Sequence, residues 1–593
     1  MDSTNSGGLT KNGSGALTLS GANAYTGTTT LNGGTLRIGN NSALGTSTLV
    51  VNSASAFIDS AVGTSYTLSN NITLTTNGKI GATTAIGNLT FSGIISGAGN
   101  LVIDTLGGVT TLTGLNTFTG NVIVDRATVD GGLSFNSIAN AGVASALGAG
   151  STISVGIGAS APYLNYIGNS AASSNRTISL VGGEAIITAN SAALTLTGNV
   201  TASAAQTLRL RGTGGGGANF NELSGVYSGG GSLSVQTATG SDVWKISGNN
   251  TFTGTAYVAN NAALIAAHSN AFGSTANGTQ VNNNAQILLT GNISVGGEAL
   301  TLNSGAGGNW NGQTGAALRS YAGNNSWAGA ITLGQASTIA TNSEAGLTLS
   351  GDISGSHNLT FNSIGNTSAL GNITTGTGTL TKTGAGMLTL SGNNTYTGAT
   401  TVNAGTLLVN GSLAAGSAVT VASGATLGGT GTLNGATTVN GNLAPGNSPG
   451  VLSFGSSLSL GSTAQTTMEL NGTIRGTGYD GINVTGNLTY GGSLTIHVGS
   501  QFLASSESFS LFTFASESGE LSSVSLAGAY GSEVFDNISG AWSATDSSGN
   551  QWSFSETTGN LGFTAVPEPS TVALVLIGFV GILAARYKVR KKA

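Results

Sequence analysis

The sequence predicts an all-β chain wound as a solenoid, in which each strand pairs with the coil before it and the coil after it. Three observations carry this. Residues 9–36, LTKNGSGALTLSGANAYTGTTTLNGGTL, return at 380–407 as LTKTGAGMLTLSGNNTYTGATTVNAGTL. Without a gap, roughly 20 of about 28 positions agree, and such self-similarity marks a repeat architecture. Second, runs of about four residues that mix aliphatics with Thr, such as 387–390, 399–402 and 406–409, recur every 8–12 residues and are bounded by Gly, Asn or Ser, which is a strand-and-turn signal with no helical period. Third, the chain has 98 Gly, 5 Pro and only 6% charged residues, against about 25% charge in an ordinary globular protein. Outward Ser, Thr and Asn can hydrate stacked coils of this composition; there is too little charge to hydrate a compact sphere.

Each element follows in order. The chain opens on MDSTNSGG without a basic or apolar leader, so an exported protein is expected to have a longer precursor. Shorter echoes of the opening words lie at 112–120 (LTGLNTFTG) and 246–254 (ISGNNTFTG). A second phrase precedes the later copies, FSGIISGAGNL at 91–101, LSGVYSGGGSL at 223–233 and LSGDISGSHNL at 349–359. Residues 140–215 are the least regular, and Pro162 and Tyr163 are expected to interrupt the pattern. The glycine run 212–217 reads as a turn, because a phosphate-binding loop must lead into a helix and none follows. From Ala418 the words shorten, which suggests tighter coils. Pro445 and Pro449 are expected in turns or at an edge, where the regularity ends, since proline cannot donate to a central ladder.

Residues 451–564 differ in texture. Phe502, Phe509, Phe512, Phe514, Phe535, Trp542, Trp552, Phe554 and Phe563 concentrate there. Aromatics alternating with polar residues predict longer antiparallel strands with one buried face, closing the end of the solenoid. The expected domains are therefore a β-helix over 1–450, a β-rich cap over 451–564 and a separate tail over 565–593. Within the tail, 566–570 is a proline-stiffened spacer, 571–585 (TVALVLIGFVGILAA) an apolar helix, and 586–593 a basic end. The apolar run is at the short edge of what spans a bilayer. Basic residues stay on the cytoplasmic side, so the body is expected outside the cytoplasm.

Charge and composition exclude several classes. Five of the 16 basic residues are Arg586, Lys588, Arg590, Lys591 and Lys592. The body before them is more acidic than the formal net of −5 and would repel nucleic acid. The absence of cysteine removes disulfide staples and thiolate-bound metals. Low-complexity disorder is opposed by 39% hydrophobic residues placed at strand spacing.

The repeat words, together with LAPGNSPGVL and MELNGTIRGTGYDGINVTGNLTYGGSLTI, resemble the autotransporter-associated β-strand repeat family. That resemblance implies a right-handed parallel β-helix exposed on a bacterial surface. A true autotransporter ends in a membrane β-barrel, whereas this chain ends in one apolar segment, so self-translocation is not implied. The tail resembles the PEP-CTERM sorting signal, with Val566, Pro567, Glu568 and Pro569 as sorting motif and Arg586, Lys588, Arg590, Lys591 and Lys592 as basic stop. The resemblance implies recognition by an exosortase-type membrane protease and transit through the inner membrane toward the envelope, cell surface or exopolysaccharide matrix. A similar tail occurs on some ice-binding β-helical proteins.

Chemistry is sparse in the sequence. No catalytic, cofactor-binding or metal-ligating residue is assigned, and no enzyme activity is expected. Polysaccharide lyases on β-helices need clustered Asp, Arg or Lys on one face, often with calcium. The densest cluster is Asp104, Asp125, Arg126 and Asp130, in which Asp125 and Arg126 would point to opposite faces. Arg209 and Arg211 share a face and could meet an acidic sugar, although a solvated edge pair is the plainer reading. His268, His357 and His497 are far apart. Tyr479 and Asp480 read as turn residues. Ice binding would need Thr in register on successive coils, and Thr28, Thr29, Thr30, Thr73, Thr75, Thr400 and Thr401 do not show one per coil. The expected function is a non-enzymatic surface or matrix protein of adhesin type that meets exopolysaccharide or surface glycans. A carbohydrate-active β-helix and an ice binder are the alternatives.

Overall fold

The computed structural model describes residues 6–566 except 62, 82–86, 106–107, 126–130, 157–160, 204, 215–218, 238–241, 309–314, 501–502 and 504, and beyond them residues 580–584 and 586–587. The chain forms two units, Met1–Leu380 with Gly384–Leu388, and Thr381–Thr383 with Thr389–Ala593.

In the first unit the chain visits three faces in turn. Ile72–Leu74, Gly78–Gly81 and Leu89–Phe91 complete one circuit. Ile95–Gly97 then lies parallel to Ile72–Leu74, with Ile95 opposite Ile72. A coil takes 20 residues at the start, where Thr29 lies opposite Leu9, and 23 by Ile72. One face carries a ladder of 14 strands, from Tyr66–Leu68 to Ile373–Thr374. This is the parallel solenoid that the strand spacing predicts. Parallel sheets are usually covered on both sides and read as unbroken apolar runs. Here one side faces solvent, so the strands alternate, as in Thr29–Leu31, where Thr29 and Leu31 are buried and Thr30 is not. The inward Leu, Ile and Val are buried, each contributing ~1.5–3 kcal/mol by leaving water.

The repeated phrases turn out to be joints between coils. The second glycine of the FSGxxSG phrase is Gly97, Gly229 or Gly355, with φ of 106°, 99° and 106°. In each, a Cβ would strike the carbonyl oxygen of the preceding coil, at Leu74, Ala202 and Leu333 respectively. Only glycine combines that φ with so close an approach of two backbones. The asparagine before each aromatic works inside the solenoid. Asn116 Oδ1 accepts from Ile95 N at 2.7 Å while its Nδ2 donates to Ala146 O at 2.6 Å. Asn250 joins Tyr227 N (2.8 Å) to Ala271 O (3.0 Å) in the same way. One amide thus satisfies a donor of the coil below and an acceptor of the coil above, which a buried backbone requires.

The second unit repeats these joints with coils that first tighten and then lengthen, Leu458 lying opposite Leu488 and Ser493 opposite Ser523. Thr400 lies opposite Val419, Val419 opposite Thr437, and Thr426 opposite Asn442, so the expected shortening after Ala418 is present. Parallel pairing continues through Ser523–Gly528. Among the described residues, antiparallel strand ladders join only Glu507–Ser510, Asp536–Ile538, Ala541–Thr545, Gln551–Ser555 and Asn560–Thr564, apart from isolated bridges such as Asn116 with Ser145. The antiparallel part is therefore shorter than the expected 451–564. Its residues 451–528 alternate apolar and polar because one face of a coil is also wet, a pattern that does not distinguish parallel from antiparallel. The sheet closes the last coils through Phe512, which stacks on Tyr490 at 5.6 Å and on Phe554 at 6.1 Å.

Three other expectations are corrected. Pro162 and Tyr163 do not break the ladder: Tyr163–Tyr166 pairs with Gly132–Phe135 and with Ile186–Ala189 of its neighbours, and the Pro162 carbonyl still accepts from Ile186 N. Pro445 is the buried last residue of Asn442–Pro445, at the strand end where its missing N–H is least needed, and coils continue after it. The threonines do come into register. Thr401, Thr420, Thr438, Ser459, Thr489 and Ser518 form one outward column on successive coils. Variable coil length hid this column in the sequence.

Candidate functional site

The sorting residues lie at the edge of the described chain. Val566 is exposed, and its N–H donates to Asn550 Oδ1 at 3.0 Å. Arg586 lies in an exposed helical stretch. Pro567, Glu568, Pro569, Lys588, Arg590, Lys591 and Lys592 lie outside the described residues, as does most of the expected helix 571–585. Among the described residues no helix is long and apolar enough to cross a membrane.

The polar residues of the repeat words serve the coils. Lys382, buried among aliphatics, donates from Nζ to the carbonyls of Thr383 (2.7 Å) and Ala404 (3.1 Å). Lys11 holds the same place in the first copy, reaching Asn12, Gly13 and Gly33. Burial pushes the Lys382 ammonium down to about 8. Tyr396 Oη meets Thr400 Oγ1 at 2.7 Å, which meets Ser417 Oγ at 2.8 Å. Tyr25, Thr29 and Ser47 form the same relay at 2.8 Å each.

Asp480 is a buried clamp. Its carboxylate accepts from Gly450 N and Glu469 N, each at 2.7 Å, while Tyr479 Oη accepts from Ser510 N at 3.3 Å. Both are structural, as expected. Burial pushes the Asp480 carboxyl up to about 6, against the pull of those two N–H donors. A carboxyl raised in the folded state binds its proton there before the unfolded chain does. Stability carried by this group is therefore fully present below the unfolded value of about 4 and is lost as pH rises through about 6, a swing of ~2–3 kcal/mol. Urea melts of Asp480→Asn are expected to lack that component between about pH 7 and about pH 4 relative to the parent; identical pH slopes for the two proteins would contradict it.

The candidate catalytic residues are dispersed or engaged. Asp104 and Asp125 share one register position on successive coils, with Lys79 Nζ 3.8 Å from Asp104. Arg126 and Asp130 lie outside the described residues. No group of three or more His, Asp or Glu side chains converges among the described residues; His357 and His497 are exposed, and His268 Nδ1 accepts from Asn270 N. Arg209 and Arg211 are not at an edge. They lie on an interior strand of the 14-stranded ladder, and Arg209 Nη2 pairs with Glu184 Oε1 at 2.5 Å.

The concavity beside Arg209 was not visible in the sequence. Glu184, Thr207, Arg209, Gln236 and Tyr257 line a trough of about 650 Å³ on the first unit. It shares Asn260 and Asn283 with a second trough of about 420 Å³. The asparagine pairs Asn260–Asn261 and Asn283–Asn284, one coil of 23 residues apart, were the signal that could have pointed to it.

The passenger-associated-transport-repeat model matches residues 9–38, 237–261 and 380–409. The PEP-CTERM protein-sorting motif matches residues 565–591. An adhesin, the BmaC autotransporter of Brucella suis biovar 1 (strain 1330), is 30% identical over 225 residues, which are 36% of this chain and 6% of that protein. The chain thus spans a small fraction of that relative. The parallel solenoid thus carries three passenger-associated-transport-repeat matches and, after its last described strand, a match to the PEP-CTERM protein-sorting motif.

Proposed function

We propose that the chain is a non-enzymatic structural protein of adhesin type, displayed on the cell surface or in the extracellular matrix. The observation that carries this is the use of the repeat's own polar residues. Lys382, Asn394 and Thr400 bond from coil to coil and Tyr396 holds Thr400 in place, so what is repeated builds length and presents the variable outward rows. The similarity to an adhesin points the same way. On this reading the body, 1–450 and its closing region 451–564, stays outside the cytoplasm. The tail 565–593 spans the inner membrane through 571–585 until an exosortase-type protease acts at Val566, Pro567, Glu568 and Pro569. Purified full-length chain is expected to release no reducing ends from polygalacturonate or from neutral glucans. Release at enzyme-like rates would establish the carbohydrate-active alternative instead.

The in-register column from Thr401 to Ser518 favours a second reading, ice binding. The column is one residue wide, because its neighbours within each strand, such as Thr400 and Val402, point inward. It offers a line of hydroxyls where an ice plane needs a sheet of them. Thermal hysteresis of the full chain decides this reading, and none is expected.

A further inference from the structure

Strand register on the 14-stranded face of the first unit brings Arg209, Ser234, Tyr257 and Gln280 into one outward column on successive coils. Ser234 is small and buried between two long side chains, so the column dips there and forms the floor of the trough. Tyr257 lines the trough and is 37% exposed. Beyond it, Asn260 and Asn283 take left-handed turns with φ of 57° and 51°, and Asn283 Nδ2 donates to Asn260 Oδ1 at 3.0 Å. Asn303 likewise donates to Asn282 at 2.9 Å. The two troughs meet at this amide ladder.

The charges of the trough are already paired. Glu184 faces Arg209 Nη2. With its amide oxygen turned to the guanidinium, Gln236 accepts from Arg209 Nε at 2.7 Å and from Nη2 at 2.8 Å. A phosphate or a uronate would have to displace these partners to gain Arg209. What the trough offers beyond these pairs is neutral, namely amide and hydroxyl groups with donor and acceptor positions left over, and the part-exposed ring of Tyr257. A ligand that fits presents many hydroxyls, no charge, and flat C–H faces for the ring. We propose that this trough binds a segment of neutral polysaccharide, with Tyr257 stacking on a sugar ring and the asparagine ladder bonding its hydroxyls. This replaces the acidic sugar that Arg209 and Arg211 suggest in sequence. It deepens the adhesin reading and rests on it.

The test is affinity electrophoresis of the full chain in gels containing dextran, glucomannan, hydroxyethylcellulose or polygalacturonate, with reducing ends measured in parallel. The parent is expected to be retarded by at least one neutral polymer and not by polygalacturonate. Tyr257→Ala should weaken that retardation by about tenfold, the equivalent of ~1.4 kcal/mol of ring contact, while Tyr257→Phe keeps it. An unchanged melting temperature shows that Tyr257→Ala is folded. Retardation by polygalacturonate alone, by none of the polymers, or equally for parent and Tyr257→Ala would overturn the proposal. Release of reducing ends would instead overturn the non-enzymatic reading, so the two failures are distinct.

Discussion

Replacing Trp552 by alanine is expected to lower the unfolding free energy of the C-terminal unit by about 3–5 kcal/mol. The ring is fully buried. It stacks on Phe563 at 4.7 Å and on Tyr530 at 5.5 Å, and its Nε1 donates to Asp546 Oδ2 at 3.0 Å. Removing it leaves a cavity and takes a donor from a buried carboxylate. Burial alone would raise the Asp546 carboxyl, but hydrogen bonds from Trp552, Asn550 and Ser548 outweigh it and hold the group below its ordinary value. The consequence reaches the coils. The closing sheet supplies Gly559 O to Leu511 N and Phe512 N, and Phe535 N and Glu533 O bond the strand Ser523–Gly528. Without it the last strands expose open edges, which invite pairing with other chains. Thermal melts followed by light scattering should therefore show a lower transition that ends in aggregation. Trp552→Phe should show a smaller shift, because it keeps most of the ring contact. An unchanged transition in Trp552→Ala would refute the closing role.

The second large effect concerns sorting. Substituting alanine for Pro567, Glu568 and Pro569 together is expected to leave the chain in the membrane fraction at precursor mass. Proline disfavours helix in the residue before it, and on the proposed reading this keeps the motif open to a protease. Alanines would remove that restriction and let any helix formed by the proposed apolar segment 571–585 extend into the motif. The apolar run, with basic Arg586, Lys588, Arg590, Lys591 and Lys592 held on the cytoplasmic side, would then keep the uncut protein in place. Mass spectrometry of the C-terminus in envelope fractions reads the outcome. The same mature end in parent and variant would show that sorting does not depend on this motif.

Much of this protein is written locally. Thr, Val and Leu in short alternating runs between Gly and Asn state strand, turn and inward face at once, because a solenoid coil meets chiefly its neighbours. That is why the parallel β-solenoid, its stacked coils and the distinct tail could be read from 593 residues alone. The roles of Tyr479 and Asp480 were legible for the same reason.

Register needed the tertiary structure. Coils as unequal as 16 and 31 residues shift outward side chains by amounts that no fixed period describes. Spacing in sequence therefore concealed the threonine column from Thr401 to Ser518 and the meeting of Arg209, Ser234 and Tyr257. It also placed Arg209 at an edge, when a glutamate one coil away neutralises it inside the ladder. The parallel course of most of residues 451–528 was hidden differently: a wet face makes parallel and antiparallel strands alternate alike, and only hydrogen bonds between distant residues decide which is formed. Sequence determined what a coil is; the stacking of unequal coils decided which side chains face solvent together, because adjacency across a ladder depends on the length of the chain between its rungs.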